Sequence, residues 1–201
     1  CKHFGFLVGQ RAGLNSFGLV GLLARSSPNV ETALQSFVRY FYLHLQGAVL
    51  ALTVDADKAT LRFDIYQARA EANDQVGAGA LAVMFNILRE LCGLTWKPEE
   101  ICFAQRRPED VEPLRQFFRA PLRFDAEHYA VVFPAYWLQN KLPDTSPELR
   151  RLLQTQVDAL TVRHGDNFPE QVRSVLRGAL VTGHASADQV AALFSMTRRT
   201  L

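Results

Sequence analysis

Strict alternation is the feature that most constrains this chain. From Thr60 to Tyr66 the apolar residues Leu61, Phe63 and Ile65 fall on one face, and Arg62, Asp64 and Tyr66 fall on the other. A period of two suits a half-buried strand and would scatter the same apolar groups around a helix. The preceding run, Ala48 to Val54, is apolar except for Thr53, as a centrally placed strand can be. Asp55-Ala56-Asp57-Lys58 between them carries turn chemistry, so the two runs read as a hairpin.

Helical periods surround the hairpin. Ser16 to Arg25 places Phe17, Val20 and Leu23/Ala24 at helical spacing. Ser26-Ser27-Pro28-Asn29 breaks that helix, and Asn29 is suited to cap the next. From Val30 to Leu43 one stripe runs through Val30, Ala33/Leu34, Phe37, Tyr40/Phe41 and His44 or Leu45, and Gly47 ends it. After a polar stretch from Ala68 to Asp74, a long helix from Gln75 to Leu91 turns Ala80, Val83/Met84, Ile87 and Leu91 inward, ended by Gly93. A short strand at Ile101 to Gln105, a short helix at Glu109 to Phe118 and a strand at His128 to Phe133 complete the series. The expected fold class is α+β: a partly antiparallel sheet covered by helices, followed by an all-helical linker and the start of a helix-turn-helix.

The 201 residues, 48% hydrophobic and 21% charged, exclude collagen-like, disordered and disulfide-scaffold classes. A boundary is expected across Leu138 to Pro147, dividing the chain into an α+β domain over 1–144, a helical region over 145–183 and a helix-turn-helix start over 184–201. Net charge is +2, and residues 145–201 hold 7 basic against 5 acidic groups, so the surplus lies in the C-terminal part. Three cysteines, Cys1, Cys92 and Cys102, lack CxxC spacing, which points to a reducing compartment. No apolar stretch approaches the ~20 residues that span a bilayer, and Phe4–Gly9 is too short for a signal-peptide core. A soluble, cytoplasmic protein is expected. Cys1 in place of Met and the stop at Leu201 lead us to expect a fragment cut at both ends.

The last sixteen residues carry the most specific pattern. Ser186 can cap a helix through Phe194, Ser195-Met196 makes a turn, and Thr197 can cap a second helix opening with Arg198-Arg199-Thr200-Leu201. A short helix, a tight turn and a second helix with basic residues in its first turn is the arrangement by which side chains enter a major groove. An ordinary helical hairpin with a solvated arginine pair has the same outline. The run V-A-A-L-F-S-M-T-R-R-T-L resembles the first helix-turn-helix of AraC/XylS-type transcriptional regulators: Val190, Ala191, Met196, Arg199, Thr200 and Leu201 match, and Thr197 takes the place of the capping Ser. Phe17 to Leu34, the segment W-K-P-E-E-I-C-F and the later P-L-R-F-D-A-E-H-Y-A-V-V-F are similar to motifs of the branch with an ornithine-regulator-like, arabinose-binding-like sensory region.

That resemblance implies a cytoplasmic homodimer that senses a small-molecule effector and binds DNA as the full-length protein, with RNA polymerase as a further expected partner. Thr197, Arg198 and Arg199 are the implied DNA-binding residues, Arg199 at base edges and the other two at phosphates. Only the opening of that second helix, Arg198 to Leu201, lies within the chain, so the chain itself is not expected to hold an operator.

For the effector, Tyr40, His44 and Tyr66 are candidates because each joins a ring to a polar tip. The competing reading is that the aromatic stripes, including Phe37, Phe41 and Phe63, are simply core. The Leu149–Leu160 stripe reads as a dimer helix or as a helix packed on the sensory domain. Enzymatic signatures are wanting: there is no GxSxG, P-loop or HExxH, and five histidines show no metal spacing. Gly77-Ala78-Gly79 follows a polar loop instead of a strand, so it fails as a dinucleotide fingerprint. No catalytic residue, cofactor, metal or membrane partner is expected. The alternative is a stand-alone small-molecule-binding or enzymatic α+β domain with a helical tail.

Overall fold

The computed structural model describes residues 3–45, 47–65, 73–143, 146–163 and 191. Helix α1 (Phe4–Gly9) is followed by a 3-10 turn (Leu14–Phe17), α2 (Gly18–Arg25) and α3 (Val30–Tyr40), which runs on into a second 3-10 turn (Phe41–Leu43). The hairpin β1 (Ala48–Asp55) and β2 (Lys58–Ile65) leads to the long α4 (Asn73–Cys92). Then come β3 (Glu100–Cys102), α5 (Glu112–Phe118), β4 (Leu122–Arg123), β5 (Tyr129–Pro134), a 3-10 turn (Ala135–Gln139) and α6 (Pro147–Arg163).

The expected hairpin is present. Asp55 pairs with Lys58 across a two-residue turn, and Ala56 takes a positive φ of 51°. The sheet order is β1-β2-β5-β3-β4, antiparallel except for the parallel β3–β4 pair. This is the α+β fold with a mixed sheet. Leu61 and Phe63 join Tyr129, Val131 and Phe133 in the main core, against α3 and α4. Arg62 and Asp64 occupy the alternate positions, on the opposite face, as the period of two requires.

The cap expected at Asn29 forms, and a second appears at Ser146. Asn29 Oδ1 accepts from the Thr32 amide at 2.8 Å, and Ser146 Oγ accepts from Leu149 N at 3.2 Å at the head of α6. Other edges moved. The helix expected from Glu109 begins at Glu112, whose amide is held by Asp110 Oδ1 at 3.1 Å. The long helix starts at Asn73, two residues earlier than its apolar period begins. Two elements were not read: α1, and β4, a two-residue strand with too little sequence to show a period.

The Gly77-Ala78-Gly79 segment acquires a packing role. α1 crosses α4 so closely that a Cβ on Gly9 would stand 2.3 Å from the carbonyl oxygen of Gly79. One on Gly77 would fall 2.1 Å from the Tyr129 ring. These glycines let a second helix and an aromatic ring reach the α4 backbone. Asn86 completes the crossing: its Nδ2 donates to Gln10 O at 3.0 Å and Ala12 O at 2.8 Å, meeting carbonyls just past the end of α1. The segment after β5 returns to the α2–α3 corner, where Val30 N donates to Asn140 O at 3.0 Å, Asn29 bridges Lys141, and Leu138 and Leu142 enter the core.

Candidate functional site

Helix α3 and the 3-10 turn that extends it stand on one side of a cavity of about 210 Å3. Phe37, Phe41 and His44 line it from there, with Phe17 from the preceding turn. Leu50 and Phe63, cross-strand partners in the hairpin, form its floor, and Val76, Ala80, Val83, Met84 and Ile87 of α4 close the far side. The rings hold one another. Phe17 meets Phe37 edge-on at 4.7 Å and His44 at 4.5 Å between centroids, and Phe41 meets Phe63 edge-on at 6.2 Å. Phe37 and Phe41 are buried, while His44, Leu45 and Val76 are exposed and mark the mouth. A concave apolar chamber with a polar group at its rim is the usual form of a small-molecule site.

The neighbouring stripe of α3 faces elsewhere. Ser36 and Tyr40 sit one position before Phe37 and Phe41, so their side chains leave the axis about 100° away. They meet α6. The Tyr40 hydroxyl donates to Asp158 Oδ1 at 2.9 Å and accepts from Gln154 Nε2 at 2.5 Å. Burial first, and then the Asp158 carboxylate, hold that hydroxyl above the ordinary tyrosine value, so it remains a donor across the physiological range. Arg150 reaches Ser27 Oγ, Ser36 Oγ at 3.3 Å and Leu23 O at 3.4 Å. Its guanidinium thus sits at the C-terminal end of α2, where the helix dipole favours positive charge. Leu153 and Val157 of α6 enter the main core beneath these polar contacts.

Of the residues singled out from sequence, His44 lines the cavity and Tyr40 serves the α3–α6 contact, so the two are not brought to one site. Tyr66, Thr197, Arg198 and Arg199 lie outside the described residues. Phe37, Phe41 and Phe63 are both core and cavity wall. The α6 stripe divides: Leu153 and Val157 pack inward, whereas Leu149 and Leu152 remain 47% and 58% exposed.

A polar cluster at the end of β2 escaped the sequence reading. His128 Nδ1 donates to Asp64 Oδ1 at 2.5 Å, Arg62 Nε lies 2.8 Å from Asp64 Oδ2, and the Tyr129 hydroxyl donates to Asp74 Oδ1 at 3.4 Å. Burial and the Asp74 charge push the Tyr129 hydroxyl well above its usual range. Asp64 is met by two cationic or hydrogen-bonding neighbours, so the cluster has the character of a structural tie between β2 and β5. Cysteine chemistry is also muted. Burial pushes the Cys92 thiol up to about 12, which leaves almost no thiolate near neutral pH. Among the described residues no helix is long and apolar enough to cross a membrane, and no group of three or more His, Cys, Asp or Glu is arranged to hold a metal.

Comparison with known proteins sets this geometry in a family. Residues 1–142 match the family described as the arabinose-binding domain of AraC transcription regulators, N-terminal. The chain is 22% identical over 156 residues to the ornithine utilization regulator of Pseudomonas aeruginosa, spanning 78% of this chain and 46% of that protein. It therefore covers about half the length of this curated relative. The crystal structure of the transcriptional regulator CdpR from Pseudomonas aeruginosa shares the fold with a TM-score of 0.65 at 17% identity, covering 98% of this chain and 64% of that one. The chain belongs to the family of AraC-type arabinose-binding N-terminal domains.

Proposed function

We propose that this chain is the effector-sensing part of a ligand-responsive transcription regulator of AraC type, with residues 1–144 as sensor, 145–183 as linker and 184–201 as the opening of a helix-turn-helix. The single observation that carries this reading is the double use of α3. One stripe walls the aromatic cavity and the adjacent stripe clamps α6, the helix leading toward the DNA-binding end. A ligand filling the cavity acts on Phe37 and Phe41, and any displacement of α3 is passed to Ser36 and Tyr40 on the same rigid helix. The ligand then shifts α6 between docked and released states in proportion to its differential affinity for the two.

The names of the family and of the relative carry arabinose and ornithine, which makes these two compounds the polar probes against which the cavity is to be tested. The reading makes the chain a binding protein of the cytoplasm, not an enzyme. It acts as a homodimer in which Leu149 and Leu152 of α6 supply the outward apolar stripe, with DNA and RNA polymerase as partners of the natural gene product. Sedimentation of the chain is expected to show a dimer that Leu152→Lys converts to monomer; a wild-type monomer at high concentration excludes this role for α6. In the natural gene product, Arg199→Ala is expected to weaken binding to an operator selected from genomic DNA by about 1–3 kcal/mol in a salt-controlled titration. Unchanged affinity removes Arg199 from the base-reading position.

A further inference from the structure

We infer that the cavity takes a compact, largely apolar molecule, one ring or a short branched chain, with at most a single hydrogen-bonding group placed at the mouth beside His44. The inference rests on this cavity being the effector site. Its lining decides the chemistry. Among the described residues that line it, His44 is the one polar side chain, and it is exposed at the rim. Much of the lining backbone is already engaged: Leu50 and Phe63 pair with each other across the hairpin, and Ala80, Val83, Met84 and Ile87 lie inside α4.

A pentose bears hydroxyls on nearly every carbon, and each one taken inside would lose its water without a replacement partner. A diamino acid brings ammonium and carboxylate charges at its two ends, and among the described residues no carboxylate, lysine or arginine lines the cavity to receive them. A benzene-sized ring fits a dry cavity of about 150 Å3. The 210 Å3 here therefore has room for a fused bicycle or a ring with a short substituent. The edge-on arrangement of Phe17 with Phe37 and of Phe41 with Phe63 offers both ring faces and ring edges to such a guest.

Met84 lines the cavity, and the chain has two methionines, so the methionine methyl groups are direct reporters. In a methyl-labelled chain, with the Met84 resonance assigned by Met196→Leu, indole is expected to move the Met84 signal saturably. L-Arabinose and L-ornithine are expected to leave it in place at a hundredfold higher concentration. Val83→Phe, which fills the chamber, is expected to weaken indole binding at least about tenfold. The wild-type titrations settle the ligand class even if that variant folds poorly. No saturable Met84 shift with indole overturns the proposal, and so does a saturable shift with either polar probe. A polar probe whose Met84 shift is lost in Val83→Phe overturns the apolar class alone. A polar probe that raises the melting temperature without moving Met84 overturns the cavity as effector site as well.

Discussion

Phe37→Ala is expected to lower the unfolding free energy by about 3–5 kcal/mol, as truncation of a fully buried aromatic side chain does. Phe37 is 1% exposed. Its ring has an edge-to-face partner in Phe17 and a second aromatic neighbour in Phe41, 5.9 Å away between centroids. The vacated volume cannot be reclaimed by collapse, because the site already borders an open cavity and because Leu50 and Phe63 are fixed by the hairpin ladder. The missing contacts are therefore lost outright. Against a domain stability of about 5–15 kcal/mol this is a large fraction. Urea unfolding followed by Trp96, which is buried beside Phe85 and Phe133, measures it. Phe37→Leu, which leaves a smaller void, should cost clearly less. A loss below 1 kcal/mol for the alanine variant would show that the ring is not part of the core.

Arg150→Ala is expected to release α6 while leaving the core intact, at a cost to helix docking of about 1.5–3 kcal/mol, the range for hydrogen bonds made by a charged group. The guanidinium joins three acceptors on two helices: Leu23 O and Ser27 Oγ at the end of α2, and Ser36 Oγ on α3. Lysine retains the charge without the planar fork, so Arg150→Lys should fall between the two. Leu153 and Val157 would still favour contact through their apolar area, so the helix is expected to open more often and not to detach permanently. Native-state hydrogen exchange separates the cases. Amides in Pro147–Arg163 should exchange faster by about one to two orders of magnitude, whereas those around Ile87 and Leu88 in α4 keep their protection. Equal protection of α6 in the variant and the parent would mean that Arg150 does not hold the helix.

Much of the fold was legible because it is local. Period two in Leu61, Phe63 and Ile65, the stripe through Phe37 and Phe41, the Asn29 cap and the turn at Asp55–Lys58 are each stated within a dozen residues. The candidate site was legible only in part. His44 and the flanking phenylalanines carry a visible pattern, but a cavity is volume that no atoms fill, and volume leaves no residue to read. The Tyr40–Asp158 and Arg150–Ser36 contacts join positions more than a hundred residues apart. From sequence Tyr40 shows only a ring with a polar tip; that its hydroxyl meets Asp158 and Gln154 of α6 is visible only in the folded chain. A separation of 64 residues between Asp64 and His128 likewise hid the Arg62–Asp64–His128 cluster. Arg62 and Asp64 read correctly as the polar face of β2, yet their partner arrives only because β5, far along the chain, pairs with that strand. Gly77 and Gly79 show the converse: a short motif with a familiar outline whose cause, a close crossing by α1 and an overlying Tyr129 ring, lies outside the motif.

Hydrogen–deuterium exchange over Pro147–Arg163, recorded with and without saturating indole while the Met84 methyl reports occupancy, tests most directly whether the cavity speaks to α6. Coupling of the usual size between two sites corresponds to roughly a 5–150-fold change in an equilibrium. The expected result is a change of at least about fivefold in α6 exchange, abolished by Val83→Phe. A Met84 signal driven to saturation while α6 exchange stays the same would contradict transmission through α3.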